Sequence, residues 1–407
     1  MHLSEAGATL IFNPSASDEV VGKSDYRRLL VSSQSARLLC AYAYADAGEG
    51  ESSTDLVFAG HNLIAENGAI LAESSAFSTG VICADIDLQR LMQERRRTTT
   101  WHNCKHQECE EVYFSFPQKE LSLQRKFPPM PFVPANSTDL SNRCEAILSM
   151  QAQGLKTRLH HTHATTAVVG LSGGLDSTLA LLVTVRAFDL LNLDRKGITA
   201  VSMPCFGTTQ RTKNNAEGLA HELQVNFREI PIALAVSQHF SDIGQNPEKH
   251  DVTYENAQAR ERTQVLMDLA NQNGGLVIGT GDLSELALGW ATYNGDHMSM
   301  YGVNASIPKT LVRHLVRYIA DKEGGKLGDF LFDILDTPVS PELLPPVDGV
   351  ISQKTEDLVG PYELHDFFLY YFIRFGFSPA KIYRMALSSF SGIYDSKTIL
   401  KWIKRCV

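Results

Sequence analysis

The octet Gly170-Leu171-Ser172-Gly173-Gly174-Leu175-Asp176-Ser177 carries the sharpest chemical signal in the chain. Ser172, Gly173 and Gly174 put little or no side chain in the way of a close approach to the backbone. Their N–H groups can therefore form an anion nest backed by a helix dipole, which suits a polyphosphate. Asp176 would repel phosphate unless a divalent cation lay between them, so it is a candidate magnesium ligand. The competing reading is a glycine-rich turn in which Asp176 or Ser177 caps free N–H groups. The full octet and its place between a strand and a helix favour phosphate binding over that reading. No Gly-Lys-Ser/Thr follows, which excludes a Walker loop, and Gly-x-Gly-x-x-Gly is absent, which excludes a dinucleotide fingerprint. Cys104 and Cys109, with His102 nearby, offer part of a zinc site, but no second pair follows at ligand spacing, and solvated turn residues are expected there.

The elements that must position these residues follow from hydrophobic spacing. Ala167–Leu171, Ile198–Met203, Phe227–Ile232 and Leu276–Thr280 are short apolar runs, separated by helical stretches near Ser177–Leu191, Thr212–Leu223 and Ala257–Asn271. That alternation predicts βαβ units and a parallel sheet covered on both faces. Before them, Ala8–Asn13 reads as a strand and Tyr26–Tyr44 as helical, while Leu56–Ala59, Asn62–Glu66 and Ile70–Glu73 alternate like strands, with a hairpin turn at Asn67-Gly68. Phe127-Pro-Pro-Met-Pro-Phe-Val-Pro134 can continue neither a helix nor an inner strand and marks a domain boundary, giving domains of 1–135 and 136–407. Residues 336–361, rich in proline and acidic side chains, read as a long loop of the kind that often closes over a site.

Composition bounds the rest. The 407 residues suffice for two cores, and 43% hydrophobic with 20% charged residues is globular. A net charge of −9 provides no field for nucleic acid. Seven cysteines in a chain this long read as free thiols, and no apolar run is long enough to span a bilayer, so a cytoplasmic location is expected.

Ser172-Gly-Gly-Leu-Asp-Ser177 resembles the pyrophosphate loop of the N-type ATP pyrophosphatases, which cleave ATP between the α- and β-phosphates. Further segments resemble the NAD synthetases among them: 203–216, Tyr254-Glu-Asn-Ala-Gln-Ala-Arg260, 279–296, Val303-Asn-Ala-Ser-Ile-Pro-Lys309 and 360–368. The resemblance implies an adenine-nucleotide α-hydrolase-like, Rossmann-like α/β domain that uses ATP and Mg2+ to amidate deamido-NAD. It implies a loop 171–177 in which Leu171, Ser172, Gly173, Gly174, Asp176 and Ser177 hold ATP pyrophosphate. Thr280 would touch ATP and Lys309 the phosphates. Asn256 and Arg260 would meet deamido-NAD, with Trp290 and Tyr293 along its nicotinate end, and Glu285 would join Asp176 at the metal. Taken singly, Trp290 and Tyr293 read as core, Arg260 as a solvated ion pair and Glu285 as an exposed helix charge. Their joint order after the loop favours the functional reading.

The first domain carries Phe12-Asn-Pro-Ser-Ala-Ser17, Gly22-Lys-Ser-Asp-Tyr-Arg-Arg28, 58–68, Ile86-Asp-Leu and Arg95-Arg-Arg-Thr-Thr-Thr-Trp101, and resembles the C-terminal half of an αββα nitrilase-like glutaminase. By that likeness Ser17 and Lys23 match glutamine-holding positions. The family's catalytic Glu, Lys and Cys would precede the first strand, so no catalytic triad is expected here. Val81-Ile-Cys-Ala-Asp85 only mimics the nucleophile strand, and an apolar sheet face is expected to lie uncovered. The C-terminus also reads as short. The implied partners are deamido-NAD, ATP, and ammonia or glutamine, with no nucleic acid or membrane, in a homo-oligomer. The alternatives are another amidating or thiolating ATP pyrophosphatase, GMP synthetase-like, or an inactive nucleotide-binding fragment.

Overall fold

The computed structural model describes residues 2–51, 54–101, 109–117, 122–134, 136–295, 297–337, 343 and 355–406. They form two compact units, Met1–Pro128 with Tyr371–Ser391, and Pro129–Tyr370 with Gly392–Val407. His102 and Cys104, and most of the acidic 336–361 loop, lie outside the described residues; within that loop Thr355–Val359 is helical.

The first unit holds a four-stranded sheet of β1 (Leu10–Ser15), β2 (Ala41–Asp46), β3 (Leu63–Glu66) and β4 (Ala69–Glu73), in that order. The β1–β2 pair is parallel and bridged by the helix Lys23–Arg37, and the other pairs are antiparallel. The hairpin turns at Asn67-Gly68 as expected, with both residues at positive φ (47° and 87°), the geometry that matches strand twist. The helix predicted to reach Tyr44 stops at Arg37 instead, and Leu39 (φ 44°) turns the chain into β2. Ala-Tyr-Ala-Tyr supports a period of two as readily as one of 3.6, and pairing with β1 and β3 decides between them. Leu56–Ala59 forms only the isolated bridge Asp18–Phe58, and Val81–Asp85 forms no strand. Cys83, on that segment, is exposed. Phe12 of β1 is also exposed, as are Tyr26 and Leu29 on the helix Lys23–Arg37.

In the second unit β5 (Ala167–Gly170), β6 (Ile198–Ser202), β7 (Asn226–Glu229), β8 (Leu276–Gly279) and β9 (Tyr301–Gly302) make an all-parallel sheet ordered β7-β6-β5-β8-β9. Successive side chains of a strand point to opposite faces, and here both faces are apolar. Ala167, Val169, Ala200 and Ile278 join one core with the helices Ser137–Thr162, Leu175–Leu191, Gln210–Glu222, Lys309–Glu323 and Gly325–Leu335. Val168, Val201 and Val277 join the opposite core with the helices Ala233–Ile243 and Val252–Asn273. The two longest of these helices carry side-chain caps at their starts. Asn136 caps Ser137–Thr162 through Thr138 N, and Asp251 caps Val252–Asn273 through Thr253 N and Tyr254 N.

Candidate functional site

Strand order places the site. β5 sends its crossover toward β6 and β8 lies on its other side, so the loops leaving β5 and β8 diverge and open a crevice at the carboxyl ends of the strands. Residues 171–174 leave β5 and residues 280–282 leave β8.

The loop after β5 is a tight turn that depends on glycine. Gly173 sits at φ 84°, and a Cβ there would lie 2.3 Å from the Thr212 carbonyl oxygen, so only glycine fits. Ser177 staples the turn: its Oγ accepts from Ser172 N (3.3 Å), and its hydroxyl donates to Gly174 O (3.1 Å). Ser172 Oγ in turn accepts from Gly174 N at 3.2 Å. No side chain caps the helix Leu175–Leu191 that follows, which leaves its positive end open at the crevice. Leu171 is buried under the loop, its N–H bonded to Val201 O.

Beside the loop lies a knot of charge. Lys309, at the start of its helix, holds its Nζ 2.7 Å from Asp176 Oδ2, 2.7 Å from Asp282 Oδ2 and 2.8 Å from Glu285 Oε1. The Tyr362 ring lies 5.4 Å from the same ammonium. Ligand atoms of the three carboxylates all fall within 4.8 Å of one another. Burial, reinforced by the Asp176 charge, pushes Glu285 up to about 8; burial pushes Asp282 up to about 6. The same carboxylates hold Lys309 well above its ordinary value despite its burial. Three acids face one ammonium, and Asp176 Oδ1 is buried with no hydrogen-bond partner among the described residues. That donor set, all hard oxygens with one of them unsatisfied, fits a divalent cation such as Mg2+.

Neighbouring polar groups fix this geometry. Asp282 caps the short helix Leu283–Leu288, accepting from Glu285 N at 2.8 Å. Asn304, fully buried, donates to both Asp176 O (2.9 Å) and Thr280 O (3.0 Å), tying the two diverging loops together, and Gln151 donates to its Oδ1.

The expected residues therefore separate into groups. Loop 171–177, Glu285 and Lys309 converge, and Thr280 joins them through Asn304. Lys309 lies among carboxylates, a placement that the resemblance did not imply. Arg260 is exposed on the helix Val252–Asn273 and donates to Tyr293 O at 3.2 Å, while Asn256 is half-buried one turn earlier. Trp290 and Tyr293 are not helical: Gly289 ends the helix Leu283–Leu288, and Tyr293 is 75% exposed, which removes the core alternative for it. In the first unit Ser17 N donates to Asp46 Oδ1, and Lys23 Nζ pairs with Asp18 at 2.8 Å. Asp282, Ser284, Asn304, Tyr362 and Asp366 escaped the sequence reading. Asp282 had a signal in its spacing, an Asp-x-x-Glu helix start; the others lay within the family-like segments 279–296, 303–309 and 360–368 without being singled out.

A parallel sheet with a glycine-rich turn and an acidic cluster at its switch point defines a doubly wound α/β protein whose crevice lies where such folds take ligands. The family model for NAD synthase matches residues 147–382, and the chain belongs to that family. It is 45% identical over 394 residues to a glutamine-dependent NAD(+) synthetase from Mycobacterium tuberculosis, a match that takes in 93% of this chain and 58% of that protein. The corresponding protein of Mycobacterium leprae is 43% identical over the same shares. The chain thus spans less than two thirds of the length of the curated relatives it matches. A solved glutamine-dependent NAD(+) synthetase from Cytophaga hutchinsonii shares the fold, with a TM-score of 0.51 at 20% identity, over 99% of this chain and 63% of that one.

Proposed function

We propose that this chain carries the synthetase reaction of its family, the ATP-dependent amidation of deamido-NAD to NAD. The observation that carries the reading is the convergence of the anion loop with Asp176, Glu285 and Lys309 at one crevice. A nicotinate carboxylate oxygen attacks the α-phosphorus of ATP and pyrophosphate leaves. Ammonia then attacks the activated carbonyl carbon, AMP leaves with the oxygen, and a proton is lost as the amide forms. No protein nucleophile is needed; positioning and charge stabilisation suffice.

In this reading loop 171–177 and the open helix end receive the growing charge on pyrophosphate. Thr280 lines the ATP side. Asn256, Arg260, Trp290 and Tyr293 form the deamido-NAD side, where an aromatic face suits a pyridinium ring. Asp176 and Glu285, with Asp282, would hold Mg2+, which when bound neutralises phosphate charge. Residues 136–407 would be the synthetase part, and 1–135 a glutaminase-like part in which Ser17 and Lys23 stand at glutamine-holding positions. We further read the protein as a homo-oligomer. The measurement is NAD formation from ATP, Mg2+ and deamido-NAD with either ammonium or glutamine. NAD is expected from ammonium. Bound ATP and deamido-NAD with no AMP released would sink the reading.

A further inference from the structure

The helix Lys309–Glu323 has no cap of its own, because Pro308 occupies the cap position and offers no side-chain acceptor. Its first two amides are satisfied from elsewhere in the unit. Lys309 N donates to Ser284 Oγ at 2.9 Å, and Thr310 N donates to Asp366 Oδ2 at 2.9 Å. The Ser284 hydroxyl donates onward to Asp366 Oδ1, and the Thr310 hydroxyl donates to Oδ2 at 2.6 Å. A closed ring results, running from the Lys309 amide through Ser284 and Asp366 to Thr310. Ser284 and Asp366 are 0% and 1% exposed.

The position of this ring matters more than its existence. Ser284 precedes Glu285 in sequence, and Thr310 follows Lys309, so one carboxylate ties together the backbones that carry both members of the ion pair. Asp366 also places a negative charge against the positive end of the helix. It stands on the helix Tyr362–Leu369, whose Tyr362 ring faces the Lys309 ammonium. That helix is braced on the far side by Ser396–Cys406, with the His365 and Trp402 rings 5.8 Å apart.

We propose that Asp366 is the positioning residue of this site, setting Lys309 against Glu285 through Ser284 and Thr310. The inference rests on the reading of Asp176, Asp282 and Glu285 as the cation-holding face and adds what registers it. Three donors converge on the two Asp366 oxygens, an arrangement that an acid accepts and an amide does not. Oδ2 accepts two, so an NH2 there would oppose both, and an NH2 at Oδ1 would turn the Ser284 hydroxyl away.

The test uses the full chain with Asp366→Asn, Ser284→Ala or both, read below each variant's thermal midpoint. Limiting acetic anhydride with peptide mass spectrometry reports access to Lys309, with the surface residues Lys213 and Lys322 as internal references. Titration with Mn2+ alone, followed by electron paramagnetic resonance, reports the carboxylates. Asp366→Asn is expected to weaken Mn2+ binding by about 10- to 100-fold and to speed Lys309 acetylation by about tenfold relative to the references. The double variant is expected to be no worse than Asp366→Asn alone, because both act through one ring. A folded Asp366→Asn chain with Mn2+ affinity and Lys309 protection within about twofold of the parent overturns the proposal; a merely structural role would lower the thermal midpoint and move neither readout. Should Asp366→Asn not fold, Ser284→Ala decides alone: faster Lys309 acetylation supports the proposal and unchanged protection overturns it. Mn2+ binding that Asp176→Asn leaves unaltered strikes the cation reading, while Lys309 access still decides positioning.

Discussion

At the scale of single residues, the anion loop depends on an atom that is missing. Gly173→Ala meets both a left-handed φ and the Thr212 carbonyl 2.3 Å from the new Cβ. A cost of about 2 kcal/mol or more is expected, with loss of ATP binding. Calorimetry and nucleotide titration check this, and an unaltered ATP affinity would refute the role given to the loop. The acidic cluster makes a second prediction, about pH. With Glu285 pushed up to about 8 and Asp282 to about 6, cation binding must displace protons, so Mn2+ affinity rises from pH 6 and levels off above about 8. The stability sign runs the other way. A carboxyl whose folded value is raised contributes stability that is full below its unfolded value and lost as pH rises through the folded one. The thermal midpoint of the chain in EDTA should therefore fall between pH 5 and about 8. Glu285→Gln should flatten that slope, and an unchanged slope would count against the assignment.

Among elements, the notable joints are polar. Asn304 holds the loop after β5 to the loop after β8 by two donated bonds from a fully buried amide. Asn304→Leu keeps volume but abandons both carbonyls, at an expected cost of about 2 kcal/mol with weakened ATP binding. A thermal midpoint within about 1 °C of the parent would contradict it. By contrast, Glu145 on the helix Ser137–Thr162 pairs with Arg186 and Lys322 on two neighbouring helices, and its carboxyl is held down to about 2, chiefly by the Arg186 hydrogen bond. A depressed acid contributes stability above its unfolded value that fades as pH falls toward 2. Solvent screens this half-exposed network, so Glu145→Gln should cost no more than about 1 kcal/mol at pH 7, a cost that shrinks as pH falls below 4.5 and is gone only below about pH 2.

For the whole molecule, much was legible in the residues alone. The strands β5, β6 and β8 stand where short buried apolar runs announced them, because a sheet covered on both faces leaves no polar side to disguise them. The turn that carries β5 into its helix was legible because Gly173 and Gly174 follow directly on a short apolar run. The net charge of −9 kept nucleic acid out of the reading, and among the described residues no helix is long and apolar enough to cross a membrane. Less legible was where a period of two ends and one of 3.6 begins, as at Ala41–Asp46, since either fits six residues until a neighbouring strand claims them. Sequence by itself determined the strand-to-helix turn at 171–174, the alternation of β5, β6 and β8 with helices, and the family that both imply. Only the tertiary structure decided that Lys309 lies among three carboxylates, that Asn304 joins two loops, and that Asp366 caps a helix more than fifty residues away in the chain. Those contacts are made by single polar side chains with no period to repeat. Their meaning comes from desolvation and from the donors that strand order brings within reach.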